Sequence, residues 1–350
     1  MRILIVGSDY VWSIERLYKK YLPAAGVSWV GLFAAQNLFY SYYQRSILTK
    51  LLFRSGLSGI QKEINESLIA EIDAVKPDII WVFKGMEVLP STLRACRDRG
   101  ICLVNFNGDN PFIFSGSGSG NKNVFRCLPL FDLHLTYNLA IKARLDNEYE
   151  VKTGFLPFGF DVSDEIYERC RRQEEVNKVC FLGNPDPIRT DFIRRLAAGG
   201  LAIDIYGGKE WNDLAGHAGV TVFPPVYEEE SWRILRRYRV QLNLMRPHNR
   251  DSHNMRSFEV PGIGGIMLAP ATTEHRIFFL DGKEAFLFAD ENDCLEQARR
   301  ILSLGKEEAD EVRRRARQRS LDDGYSYRER AKSALAQMEK IYAEAGSHSF

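Results

Sequence analysis

Short apolar segments alternate with amphipathic segments along the first half of the chain. Residues 3–6, 78–83 and 102–106 are mostly apolar and are followed by glycine, lysine and asparagine, which is typical of strands buried in a parallel sheet. Segments with helical spacing lie between the strands, for example at 14–21 and 61–75. This strand–helix–strand series predicts a doubly wound parallel sheet.

A second series follows a charged connector at 164–175. It predicts strands at 179–182, 203–206 and 240–244, with helices between them. We therefore expect an α/β protein with two Rossmann-like domains, each a doubly wound parallel sheet, facing across a cleft. The predicted domains are 1–162 and 176–326, followed by a C-terminal helix at 327–345 that is able to cross back to the N-terminal domain.

Composition narrows the class of partner. The chain has 350 residues, of which 45% are hydrophobic, with 47 Lys and Arg against 46 Asp and Glu. This balance argues against nucleic acid as a partner, and we interpret the basic run at 313–317 as a solvated helix face. Six cysteines without a CxxC pair predict free thiols in a reducing compartment. Neither a signal peptide nor a membrane-spanning run is apparent, so we expect a cytoplasmic protein, with the inner face of the membrane as a further location.

The densest group of polar side chains lies at 246–265. It contains Arg246 and Arg256, the acids Asp251 and Glu259, and a glycine pair. Cationic side chains around a helix N-terminus attract an anion, whereas a carboxylate suits sugar hydroxyls. We interpret this window as a site for a nucleotide-diphosphate sugar.

Several motifs carry a resemblance to a known family. They are Phe181-Leu182-Gly183-Asn184 with Arg189, Ile205-Tyr206-Gly207, Asn254-x-Arg256-x-Phe258-Glu259 with Gly264-Gly265, Tyr325-Ser326-Tyr327-Arg328-Glu329-Arg330, and Asn107-Gly108-Asp109-Asn110-Pro111. With these motifs the chain resembles two-domain GT-B glycosyltransferases. Within them it is similar to the CgeB-like group, named for a spore maturation protein and related to the group-1 glycosyltransferases.

The resemblance implies roles for several residues. Glu259 would hold the ribose hydroxyls, and Asp251 would face the donor sugar from the position of the first acid of an E-x7-E pair. Arginine forks suit phosphate oxygens, so Arg189, Arg246 and Arg256 would bind the diphosphate. The nucleobase of the donor would lie against the loop that contains Val226 and Tyr227. The expected donor site also includes Asn184, Gly207, His253, Asn254, Gly264 and Gly265. Because arginines neutralise the diphosphate and no DxD pair is present, we expect neither a metal nor another cofactor.

The acceptor side is expected in the N-terminal domain. If the reaction inverts configuration, a carboxylate at a strand end would act as the base, with Asp109 as first candidate and Asp9 as second. Asp109 is equally compatible with an Asx turn, and Asp9 with a helix cap. If the reaction retains configuration, the donor phosphate could take the proton instead.

Two further segments of the N-terminal domain bear on the acceptor. The Ser-Gly repeat at 115–120 is interpreted as a mobile loop over the cleft or as a surface excursion. The aromatic and basic segment at 39–53 could contact a glycan, a lipid-linked acceptor or a second subunit, or it could form a buried helix pair.

Together these patterns predict a metal-independent glycosyltransferase. It would transfer a sugar from a nucleotide-diphosphate donor, with UDP as the expected nucleotide, to a hydroxyl of a glycan, a lipid-linked molecule or a protein. One alternative is a non-hydrolysing sugar-nucleotide epimerase, which has the same fold. The other is a nucleotide-binding or assembly protein without catalytic activity.

Overall fold

The computed structural model describes residues 1–113, 120–149, 151–249 and 251–346, without the side chains at 248, 345 and 346. Apart from Gly120, the Ser-Gly repeat lies outside the described residues. The chain forms two compact units. Unit 1 contains Met1–Pro157 and the segment from Tyr327 onward, and unit 2 is Phe158–Ser326. The charged connector at 164–175 is therefore part of unit 2.

Unit 1 is built on a six-stranded parallel sheet with the order β2-β1-β3-β4-β5-β6. Its strands are β1 Arg2–Val6, β2 Trp29–Phe33, β3 Ile79–Phe83, β4 Cys102–Asn107, β5 Leu133–Thr136 and β6 Thr153–Phe155. The central strands β1, β3 and β4 are buried on both faces because helices cover both sides of a sheet of this type.

The helices of unit 1 include one from the end of the sequence. They are α1 Ile14–Ala25, α2 Ala35–Tyr43, α3 Ile47–Arg54, α4 Ile60–Val75, α5 Pro90–Arg97, α6 Lys122–Cys127, α7 Leu139–Glu148 and α15 Tyr327–Gly346. Helix α15 packs on α1, where the ring of Tyr327 meets that of Tyr18 edge to face at 5.6 Å. The C-terminal helix thus completes the N-terminal sheet domain.

Unit 2 repeats the architecture, with the sheet order β12-β11-β10-β7-β8-β9. Its strands are β7 Val176–Leu182, β8 Ile203–Tyr206, β9 Val220–Phe223, β10 Tyr238–Leu242, β11 Met267–Pro270 and β12 Phe286–Phe288. Its helices are α8 Asp164–Arg171, α9 Pro187–Ala198, α10 Glu228–Arg237, α11 Arg256–Gly262, α12 Thr273–Phe278, α13 Glu291–Ser303 and α14 Lys306–Asp322. Two parallel sheets flanked by helices confirm the predicted fold class.

The basic run in α14 differs from its interpretation as a solvated face. Arg313 and Arg317 are buried, and only Arg314 and Arg315 point outward to pair with Glu311. Positions 313 and 317 lie one helical turn apart on the face that packs against the unit. Two of the four arginines in the run are therefore buried structural residues, and the other two lie on the solvated face.

Candidate active site

The strand order of unit 2 creates a switch point between β7 and β10. From β7 the chain proceeds through β8 and β9 on one side, and then returns to place β10, β11 and β12 on the other side. Helices leave the carboxyl ends of such neighbouring strands on opposite faces, and the crevice there is where open parallel sheets bind ligands. Asn184 follows β7 and Arg246 follows β10 at this position, and both are exposed.

Arg189 joins the two loops at the switch point. Its guanidinium is buried and donates hydrogen bonds to the carbonyls of Leu244 at 2.6 Å and Asn184 at 3.2 Å. It also pairs with Asp186 at 3.3 Å. Burial lowers the pKa of Arg189 to about 10, although the charge of Asp186 acts in the opposite direction. In the described structure Arg189 therefore shapes the crevice by fixing its two loops.

Arg256 and Glu259 lie one turn apart at the start of α11. Arg256 pairs with the Glu259 carboxylate, and its Nε approaches the Leu182 carbonyl, the last of β7, at 3.4 Å. Glu259 is 9% exposed. A carboxylate in this setting is stable because it has a cationic partner. The pair presents two acceptor oxygens and a guanidinium fork beside the end of β7.

A hydrogen-bond network fixes the start of α11 to the end of β10. The amide of Asn254 donates to Asn243 Oδ1 at 2.8 Å, and Asn243 in turn donates to Ser257 Oγ at 3.1 Å. Ser257 Oγ lies 2.8 Å from His275 Nε2. Because His275 Nδ1 lies 2.7 Å from the Pro270 carbonyl, Nδ1 carries the proton and Nε2 accepts from the serine. Burial lowers the pKa of His275 to about 4, which keeps this ring neutral.

His253, within the segment 246–265, is fully buried. Its Nδ1 lies 2.5 Å from Glu274 Oε2, and its Nε2 accepts from the Phe158 backbone N–H at 3.4 Å. The rings of Phe258 and Phe278 meet it edge to face. These contacts give His253 a structural environment, whereas Asp251 is exposed in the preceding loop. The donor role of both residues stays a prediction.

The loop predicted to contact the nucleobase connects β9 to α10. Tyr227 is 58% exposed and Val226 is half-buried, while Gly207 is buried at the end of β8. A Cβ at Gly207 would lie 2.5 Å from the Gly183 carbonyl, so only glycine allows the loops after β7 and β8 to approach this closely.

Gly264 and Gly265 follow the C-terminal end of α11, whereas Arg256 is at its N-terminal end. Gly264 has a left-handed φ of +71°, and a Cβ at Gly265 would lie 2.6 Å from the Leu235 carbonyl of α10. The structure gives both glycines a turn and packing role, and their part in donor binding stays a prediction.

Unit 1 has its own switch point, between β1 and β3. Lys84 follows β3 and pairs with Asp109, which follows β4, at 2.5 Å. The Asp109 backbone N–H donates to Asn107 Oδ1 at 3.0 Å, so the Asx turn here is made by the Asn107 side chain. Asp9 follows β1, is half-exposed and lies 3.7 Å from Arg16. The base roles of Asp109 and Asp9 stay predictions.

Sequence reasoning missed a third acid at this edge. Glu15 lies in the first turn of α1 and is buried, and its carboxylate accepts the Ser8 backbone N–H at 2.9 Å. Burial raises its pKa to about 7, while the charge of Lys84 acts in the opposite direction. An acid in the first turn of a helix reads as an ordinary dipole partner, so only its burial could have marked it.

The other chemical groups add little to the site. All six cysteines are buried free thiols. Among the described residues no three His, Cys, Asp or Glu side chains lie together as a metal ion would require.

Comparison with known proteins supports the assignment of the fold. Residues 189–336, from α9 into α15, match a family described as glycosyl transferase-like. No curated protein sequence matches the chain.

Several solved structures superimpose over the whole chain. Sucrose-phosphate synthase from Thermosynechococcus elongatus aligns over 100% of both chains, with 14% identity and a TM-score of 0.67. HepE of Anabaena, solved with UDP and glucose, covers 97% of this chain and 100% of its own, with 12% identity and a TM-score of 0.63. A Listeria monocytogenes protein proposed to be a UDP-N-acetylglucosamine 2-epimerase covers 98% and 97%, with 13% identity and a TM-score of 0.60. The chain therefore has the GT-B fold.

Proposed function

We propose that this protein is a glycosyltransferase that uses a nucleotide-diphosphate sugar. The observation that carries the proposal is the Arg256–Glu259 pair at the switch point of unit 2, with Arg189 in the first turn of α9 and Arg246 on the loop after β10. The match of residues 189–336 to a glycosyl transferase-like family covers this region. The motifs described above favour the CgeB-like group within that class.

Charge compensation is the chemical contribution that we assign to unit 2. As the sugar leaves, negative charge grows on the departing diphosphate, and guanidinium groups and helix N–H groups stabilise it. Glu259 would accept hydrogen bonds from the ribose hydroxyls. We propose that the arginines replace a metal ion in this role. UDP is the proposed nucleotide, supported by the structural neighbour that was solved with UDP.

The acceptor hydroxyl would lose its proton in unit 1. Asp109, held by Lys84, and Asp9 are the proposed bases for an inverting reaction. Glu15 adds a carboxyl whose pKa burial raises to about 7, a value that suits a general acid or base. The proposed acceptor is a hydroxyl of a glycan, a lipid-linked molecule or a protein.

A sugar-nucleotide epimerase is the second candidate. One neighbour with the same fold is proposed to be a UDP-N-acetylglucosamine 2-epimerase. Such an enzyme needs acids on both sides of the hexose, and Asp251 and Asp109 are available in units 2 and 1.

One experiment separates these activities. The protein is incubated with a panel of nucleotide sugars, and the products are analysed by chromatography. Release of nucleoside diphosphate supports transfer or slow hydrolysis, whereas isomerisation of the sugar without release supports the epimerase. Absence of binding to any nucleotide would contradict both and leave a non-catalytic protein.

A substitution tests the assignment of the ribose site. Glu259→Ala removes charged hydrogen bonds of about 1.5–3 kcal/mol, so we expect UDP affinity to fall by about tenfold to a hundredfold in calorimetry. Glu259→Gln should retain part of the affinity.

The matched control is Glu175→Ala. Glu175 also pairs with arginines, Arg239 and Arg313, but it precedes β7 and so lies at the opposite edge of the sheet. Its removal should leave UDP affinity unchanged. Equal affinities for Glu259→Ala and the parent protein would show that the ribose binds elsewhere.

A further inference from the structure

Helix α3 in unit 1 carries an apolar outer face. Ile47 is 78% exposed, Leu48 64% and Leu51 56%, and Leu57 in the following turn is 76% exposed. None of the residues of α3 is buried. The interpretation of the segment at 39–53 as a buried helix pair is therefore wrong for α3.

The helix is nevertheless well formed and anchored. Ser46 and Thr49 form a capping box at its start. On its inner side, the ring of Phe53 packs against Phe39 at 4.9 Å and Tyr43 at 5.7 Å. The outward aliphatic side chains are thus held in place on a fixed element. Ile47, Leu48 and Leu51 lie within about one helical turn of each other, and exposed aliphatic side chains grouped in this way are typical of an interaction site.

The sequence segment that contains α3 is basic. Residues 16–62 contain no Asp or Glu and seven Lys or Arg, although the whole chain has 47 basic and 46 acidic residues. Arg45, Lys50 and Arg54 belong to α3 or adjoin it, and none of them forms an ion pair with a described residue. The acids that border the segment are Glu15, which is buried, and Glu63 in α4.

We propose that the outer face of α3, with Leu57, docks on a membrane surface that contains anionic phospholipids. Aliphatic side chains flanked by lysine and arginine fit the boundary between headgroups and acyl chains. A second copy of the chain fits less well, because a symmetric contact would bring two acid-free segments together. Among the described residues no helix is long and apolar enough to span a membrane. With eight residues, α3 fits a helix that lies along the membrane surface.

The location of α3 connects docking to the acceptor. Helix α2, which holds α3 through Phe39, starts just after β2, and Asn37 in α2 accepts the Asp9 backbone N–H at 2.8 Å. Trp12, in the same loop as Asp9, is 64% exposed, as suits a side chain at a membrane interface. The docking face and the predicted bases therefore share the carboxyl edge of the sheet. On the proposed function, this favours a lipid-linked acceptor.

Docking is tested on the full chain without nucleotide, so its outcome is independent of sugar transfer. The protein is sedimented with vesicles of phosphatidylcholine alone and of phosphatidylcholine with an equal part of phosphatidylglycerol. We expect binding to the anionic vesicles that weakens as salt is raised. The double variant Leu48→Ser/Leu51→Ser should lose at least about tenfold in affinity. Lys50→Glu should lose binding to anionic vesicles most strongly at low salt.

The control is Ile188→Ser, which removes a 49% exposed aliphatic side chain from α9 in unit 2. It should bind vesicles like the parent protein, and unchanged melting temperatures would show that all variants are folded. Equal or absent binding to both vesicle types would overturn the proposal. So would concentration-dependent dimerisation that the same α3 variants abolish, since the face would then belong to a second copy.

Discussion

Glu15 is an acid whose ionisation is opposed by its surroundings. Its carboxyl is buried at the carboxyl edge of the unit 1 sheet, and its pKa is raised from 4.5 to about 7. A carboxyl with a raised pKa binds its proton more tightly in the folded chain than in the unfolded chain. Its contribution to stability is therefore complete below pH 4.5 and is lost as the pH rises through 7.

This linkage predicts the behaviour of Glu15→Gln, which mimics the protonated acid. The variant should match the parent at pH 4.5 and exceed its free energy of unfolding at pH 8 by about 2–3 kcal/mol, since each pKa unit is about 1.4 kcal/mol. Urea denaturation at both pH values measures the difference. Comparing variant and parent cancels the opposite effect of His134 and His275, whose pKa values burial lowers to about 4.

The control for this prediction is Glu66→Gln on the exposed face of α4, which should show the same difference from the parent at both pH values. A flat difference for Glu15→Gln as well would mean that the carboxyl ionises freely in the folded chain.

Single residues of the site were predictable where their partner is near in sequence. Arg256 and Glu259 are three positions apart, so helical spacing alone brings them together. Arg189 and His253 were not predictable in this way. Their partners include Leu244 and Phe158, which are 55 and 95 positions away, and only the folded sheet unites them.

At the scale of elements, the turn between α11 and β11 depends on two adjacent glycines with different constraints. Gly264 requires a left-handed backbone, whereas Gly265 requires space, since a Cβ there would lie 2.6 Å from the Leu235 carbonyl. An alternating pattern of apolar residues can indicate that such a turn exists, but not which backbone it touches.

We expect Gly265→Ala to destabilise unit 2 by about 2–3 kcal/mol, because either α10 or the turn must move. Gly282→Ala is the comparison. Gly282 has a φ of +72° with nothing within 4 Å of its Cβ position, so that variant reports backbone strain alone, about 1 kcal/mol. Thermal unfolding of both proteins measures the two effects. A loss for Gly265→Ala no larger than for Gly282→Ala would show that the close approach is relieved without cost.

Helix α14 shows what periodicity can and cannot reveal. Arg313 and Arg317 share a face with Ala309, Ala316 and Ser320, a spacing that the sequence already contains. Because arginine is rarely buried without a partner, the charge of the run led to the prediction of a solvated face instead. Arg313 pairs with Glu175, and Arg317 donates to the Gly262 carbonyl. Both partners come from distant parts of the unit 2 sequence.

For the whole molecule, the order of strand and helix segments in the sequence was sufficient to predict two doubly wound sheets. The lateral order of the strands was not predictable, because β10 and β7 become neighbours only when the chain returns past β9. The switch points, and with them the positions of the candidate sites, follow from that order.

Unit 1 is formed from two separate parts of the sequence, and this gives a prediction for a truncated chain. A chain that ends at Ser326 lacks α15, whose Ala331, Ala334 and Met338 are fully buried. We expect the amides of residues 1–157 to lose protection in hydrogen exchange, because the covered side of the sheet is exposed, whereas those of 158–326 keep it. Residues 158–326 expressed alone provide the comparison and should show the same protection as in the full chain. Full protection of residues 1–157 in the truncated chain would contradict the role of α15.

The position of α15 in the sequence also affects how the protein folds during its synthesis. A ribosome delivers residues 158–326 in full while the earlier sheet still lacks its last helix, so the domain whose sequence begins first is the one completed last. Until α15 has left the ribosome, the side of α1 that it covers stays exposed in the nascent chain. Chaperone demand should therefore centre on the N-terminal half of nascent chains, and premature stop codons after residue 326 should be more damaging than the few missing residues suggest.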